Sequence, residues 1–109
     1  MQRITIVGMG LIGTSIGMGL KQAKLDHIEI VGTDIDSAAI GKAKRRGAVD
    51  KASRNLLDSI DGTSVVIIAT PVMAIKETME LIGPHLEEGC IVTDTGSTKS
   101  VVMEWAKEH

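Results

Sequence analysis

The stretch Arg3–Gly13, RITIVGMGLIG, decides how the chain folds. Ile4, Ile6 and Val7 form an aliphatic run of the kind buried on both faces of a parallel sheet. From Leu11 the apolar residues recur as Leu11, Ile12, Ile16 and Leu20, which is helical spacing. A strand therefore passes sharply into a helix. The first-turn amides of such a helix lack intrahelical acceptors, and its dipole favours an anion beyond the strand's end. Glycines spaced G-x-G-x-x-G occupy the junction: Gly8 permits the bend, Gly10 lets a pyrophosphate reach the backbone, and Gly13 lets the helix press on the strand.

The same glycines could serve a tight turn alone, but the segment after them favours a dinucleotide. A second strand, Glu29 to Thr33, ends in Asp34, about 20 residues after Gly13, where the fingerprint requires an acid for a ribose hydroxyl. Asp34 could instead cap the next helix, but Asp36 and Ser37 are better placed for that. A carboxylate repels a 2′-phosphate, and no Arg follows Asp34 within the loop, so the expected cofactor is NAD rather than NADP. The expected contacts at the turn are Gly8, Met9, Gly10, Leu11, Ile12 and Gly13, with Asp34 on the sugar.

Further along, Lys42, Lys44, Arg45 and Arg46 make a basic helix end that Gly47 closes. Val49 to Ala52 reads as a short third strand, and Arg54 to Asp61 as a weakly helical connection. Val65–Ala69, VVIIA, is a buried strand, and Val72, Ile75, Met79 and Ile82 then recur at helical spacing. Thr70 reads as the N-cap of that helix and Pro71 as its first residue. Ligands of such sheets sit at the carboxyl ends of the strands, so Ala69, Thr70, Pro71 and Ile75 are expected to border the dinucleotide, as are Thr95 and Gly96. Cys90 to Thr93 forms the fifth strand and about Thr98 to Lys107 a last helix. Strands alternating with helices imply a single α/β domain, a Rossmann-type doubly wound parallel sheet of order 3-2-1-4-5.

Composition narrows the partners. The chain has 109 residues and a net charge of −2, with a pI near 5.9 and no basic block, which argues against nucleic acid or a membrane surface. No apolar run approaches the ~20 residues of a membrane span, and Met1 to Gly13 lacks a signal-peptide cleavage pattern, so a cytoplasmic location is expected. The single Cys90 reads as a small buried residue, and the scattered His27, His85 and His109 offer no metal site. With no Phe or Tyr, any bound adenine must lie between aliphatic side chains.

These residues resemble a known family. VGMGLIGTSIGMGL, the strand ending GTDID, ATPV, and above all Asp94, Gly96, Ser97 and Lys99 within VTDTGSTKS look like the N-terminal domain of the prephenate/arogenate dehydrogenases of tyrosine biosynthesis. The resemblance implies oxidation of prephenate with NAD and loss of carbon dioxide to give 4-hydroxyphenylpyruvate; some relatives take arogenate instead. It places on Ser97 the catalytic serine that hydrogen-bonds the substrate's ring hydroxyl, although the same residue could cap the last helix. It also implies a later G-x-H-P segment bearing a catalytic His, then a helical C-terminal domain for substrate binding and dimerisation. Neither occurs in these 109 residues. The polypeptide is therefore expected to bind NAD without turning over prephenate, and to self-associate through an uncovered edge of the fifth strand. A stand-alone NAD-binding or sensing module, and the nucleotide domain of another hydroxyacid or imine dehydrogenase, stay open as alternatives.

Overall fold

The computed structural model describes residues 2–95 and the short strand at 101–102. Strands β1 (Gln2–Val7), β2 (Ile28–Thr33), β3 (Lys51–Ser53), β4 (Val65–Ile68) and β5 (Ile91–Asp94) run parallel in the expected order β3-β2-β1-β4-β5. Helices α1 (Leu11–Gln22) and α2 (Ser37–Arg45) cover one face, and α3 (Leu56–Ile60) and α4 (Val72–Ile82) the other. Two aliphatic cores result. Ile6, Met9, Ile30 and Val49 pack beneath α1 and α2, while Val66, Ile68, Ile82 and Val92 pack beneath α3 and α4. Alternation along β1 explains the split, since Ile6 enters the first core and its neighbour Val7 the second.

The register is what positions a site. Ser53, Thr33, Val7, Ile68 and Asp94 pair across adjacent strands in one row at the carboxyl edge of the sheet. The ladder continues one residue further: Gly8 N–H donates to the Thr33 carbonyl, Ala69 N–H to Val7, and Thr95 N–H to Ile68, all within 3.1 Å. Arg54, Asp34, Gly8, Ala69 and Thr95 thus emerge side by side.

Capping matches the sequence in part. The Asp36 side chain accepts from Ala38 N–H and starts α2, and Gly47, at φ +68°, comes after its basic last turn. Asn55 caps α3 by accepting from Asp58 N–H. Thr70 does not cap α4. Pro71, at φ −54° and ψ 147°, occupies the N-cap position itself and delays the helix to Val72, which leaves Thr70 one residue short of a first-turn amide.

The end of the chain differs from expectation as well. Val101–Val102, read from sequence as helix, form β6, antiparallel to β5 with Ile91 opposite Val102 and Val92 opposite Val101. Two valines in series suit a strand better than a helix, because branched side chains lose rotamer freedom in a helix. The edge of β5 is therefore occupied at Ile91 and Val92 rather than open for another copy. The remainder of the expected last helix, together with Gly96 and Ser97, lies outside the described residues. Cys90 is buried as expected; burial, then the charge of Glu87, raises its thiol above the ordinary range. Among the described residues, no helix is long and apolar enough to cross a membrane.

Candidate functional site

A crevice of about 780 Å³ opens along the carboxyl ends of the strands, within the range of small-molecule sites. Gly8, Gly10, Leu11 and Ile12 form its floor, Asp34 and Ile35 one flank, and Ala69, Thr70 and Pro71 the other, with Thr95 beyond. The register brings these together, because the strands end side by side at this edge.

Each glycine of the turn meets different surroundings. Gly8 sits at φ +102°, and a Cβ on it would stand 2.9 Å from the Ala69 carbonyl oxygen. A Cβ on Gly13 would collide with the Gly8 carbonyl, so the missing side chain is what lets α1 lie against the turn. A Cβ on Gly10 would meet nothing within 4 Å; it borders open space in the crevice. Gly10 is also the N-cap of α1, no side chain caps the helix there, and its first turn carries no acid. The leading amides of α1 thus face the crevice at the positive end of the helix dipole.

Asp34 joins two segments. Its Oδ2 accepts from Met9 N–H at 2.7 Å and its Oδ1 from Asp36 N–H at 2.9 Å. Each carboxylate oxygen has capacity for a further donor, so these bonds hold the group in place and still leave it able to accept hydroxyls. Thr70 makes a second polar point: the residue lines the crevice, and its buried Oγ1 has no hydrogen-bond partner among the described residues. An unpaired buried hydroxyl calls for an explanation, and a ligand atom would provide the missing bond.

The structure turns two of the expected contacts away from the crevice, and Gly13 keeps the packing role expected of it. Ile75 packs with Met79 against the core beneath α4, so α4 lines the crevice with Ala74, Thr78 and Leu81 instead. Met9 turns its side chain into the core beneath α1 and reaches the site only through its amide. Gly13 acts by close packing and lines nothing. Arg54, which sequence reasoning passed over, stands at the β3 end of the crevice with its Nε–H donating to the Ile35 carbonyl at 3.0 Å. Its position next to Asp34 in the row of strand ends was a consequence of register; the order β3-β2-β1 was the one signal that could have found it.

Turn, carboxylate and open glycine together fit a dinucleotide. The rim suits its flat rings, since Leu11 and Ile35 keep 80% and 84% of their surface exposed.

Comparison with known proteins agrees. The family model described as prephenate dehydrogenase, nucleotide-binding domain, matches residues 16–109. The prephenate dehydrogenase of Lactococcus lactis subsp. cremoris is 35% identical over 109 residues, which are 99% of this chain and 30% of that one. That of Bacillus subtilis is 32% identical over 106 residues, 96% of this chain and 28% of the relative. Among solved structures, Synechocystis arogenate dehydrogenase superposes with a TM-score of 0.78 at 31% identity, covering 98% of this chain and 37% of that chain. Prephenate dehydrogenase from Aquifex aeolicus, in complex with hydroxyphenyl propionate and NAD+, gives 0.76 at 29%, covering 86% of this chain and 33% of that chain. The chain thus spans about a third of the length of the relatives it matches.

Proposed function

The chain belongs to the nucleotide-binding domain family of the prephenate dehydrogenases, and from that footing we propose that it is the NAD-holding part of a cytoplasmic dehydrogenase acting on prephenate or arogenate in tyrosine biosynthesis. The observation that carries this reading is the union of Gly10 and Asp34: an uncapped helix start that borders open space, beside a carboxylate locked at the end of the next strand.

In this reading the amides that open α1 hold the diphosphate, and Asp34 accepts from the adenosine ribose. Thr70 offers its hydroxyl to the cofactor, and Ala69, Pro71 and Thr95 line the half toward β5. NAD, when bound, supplies the hydride acceptor. Ser97 hydrogen-bonds the ring hydroxyl of the substrate, whose carboxylate leaves as carbon dioxide. The hydroxyl proton must go to a general base, and these 109 residues contain no counterpart of the family's G-x-H-P histidine. The isolated polypeptide accordingly binds NAD without measurable turnover, and the residues that select prephenate or arogenate belong to a helical domain beyond this one.

Calorimetric titration with NAD and NADP tests the reading. The unaltered chain should prefer NAD by tenfold or more, and Asp34→Ala should erase most of that preference, because it removes both the hydroxyl acceptor and the repulsion of a 2′-phosphate. Equal or tighter binding of NADP by the unaltered chain would refute it, as would robust NADH production from prephenate by these 109 residues refute the claim of inactivity.

A further inference from the structure

The nucleotide reading leaves two charged groups of the crevice without a task, Glu77 on α4 and Arg54, and Arg54 is the one beside the end of β2. Arg54 lines the crevice at the end of β3, held by the Ile35 carbonyl. The ion pairs found among the described residues engage Arg3, Lys21 and Lys51, not Arg54. Its guanidinium is thus tethered by one nitrogen to the loop after β2, and no carboxylate among the described residues forms an ion pair with it.

The row of strand ends says which part of a nucleotide meets it. Phosphate belongs at Gly10, beyond β1, and the sugar at Asp34, beyond β2. The base on that sugar then continues away from the phosphates, one strand further, toward β3 and Arg54. Adjacent strands stand about 4.8 Å apart, so this is the step from a sugar to its base and not a distant contact. The walls there are Ile35, Leu56, Glu77, Thr78 and Leu81, and none is aromatic. A chain without Phe or Tyr has few ways to present a flat partner to a purine. An arginine is one, since its delocalised plane stacks on aromatic faces, whereas the compact ammonium of a lysine meets such a face as a point charge and has no plane to stack.

Resting on the NAD reading, we infer that Arg54 is the stacking partner of the adenine ring, held in place by the Ile35 carbonyl. An arginine near the acid at the end of β2 could alternatively read a 2′-phosphate by charge. Asp34 opposes that role, and the two differ in what a lysine can replace.

The test titrates the unaltered chain, Arg54→Ala and Arg54→Lys with NAD, ADP-ribose and NADP by calorimetry. Arg54 is exposed, so both variants should keep the parental melting temperature. Stacking requires that both variants weaken NAD and ADP-ribose alike by about three- to thirty-fold. Unchanged ADP-ribose affinity in Arg54→Ala overturns the inference and leaves the NAD reading standing. So does a loss confined to NADP that Arg54→Lys restores, which would make Arg54 a phosphate reader. Failure of the unaltered chain to bind any of the three overturns the NAD reading, and this inference with it.

Discussion

Met9 N–H donates to Asp34 Oδ2 at 2.7 Å, a bond between residues 25 positions apart that ties the glycine turn to the end of β2. Asp34 therefore has two duties. It shapes the turn before any ligand arrives, and it presents a carboxylate beside it. A backbone amide bonded to a carboxylate contributes more than one bonded to a neutral acceptor, about 1.5–3 kcal/mol. Asp34→Ala should consequently lower the melting temperature of the free chain and speed hydrogen exchange at the Met9 amide. Unaltered exchange at Met9 would show that the bond does not organise the turn.

The three glycines of the turn should separate into two kinds. Gly13→Ala drives a methyl into the Gly8 carbonyl, and Gly8→Ala strains a left-handed residue against Ala69, so each should cost about 1–3 kcal/mol of stability. Gly10→Ala meets nothing in the free chain. Its stability should fall by less than that of the other two, by about 0.5–1 kcal/mol for an alanine at an N-cap, while NAD affinity falls by tenfold or more because the methyl occupies the approach to the backbone. Thermal melts beside NAD titrations measure both. Retained NAD affinity in Gly10→Ala would move the phosphates elsewhere.

Thr70→Val replaces a buried hydroxyl that has no partner among the described residues with a methyl of the same shape. Leaving such a group unpaired costs about 1–3 kcal/mol, so the variant should be as stable as the parent or more so. Its affinity for NAD should nonetheless drop about three- to tenfold. Chemical denaturation and calorimetry give the two values, and a variant both less stable and unimpaired in binding would assign the hydroxyl to the fold.

Acid sensitivity should arise at the opposite end of the sheet. Burial raises the Glu29 carboxyl, but hydrogen bonds and charges from Lys51 and Arg3 overcome it and leave the group below its ordinary value of 4.5. Burial likewise opposes the Ile30 amide and Lys21 at Asp50, which also ends below its ordinary 3.8. A carboxyl more acidic folded than unfolded contributes its full stability above the unfolded pKa and loses it as the pH falls through the folded one. The melting temperature should therefore decline from about pH 5 downward, and less steeply in Glu29→Gln and Asp50→Asn. Parallel curves for parent and variants would remove these carboxylates from the acid response.

Much of this protein could be read along the chain. The aliphatic runs at Ile4–Val7 and Val65–Ile68, the glycine turn, the acid at Asp34 and the cap at Asp36 are local signals, and the handedness of parallel crossovers then leaves the order 3-2-1-4-5. Folding settled the rest. Arg54 reaches the crevice because Thr33 pairs with Ser53, a register that hydrogen bonds between distant segments impose. Ile75 faces the core and Ala74 and Thr78 the crevice because packing sets the rotation of α4 about its axis. Thr70 loses its cap because Pro71 takes that place, and β6 exists because β5 offers it an edge. Periodicity tells which residues share a face; which neighbour that face meets depends on surfaces that only come together when the sheet closes.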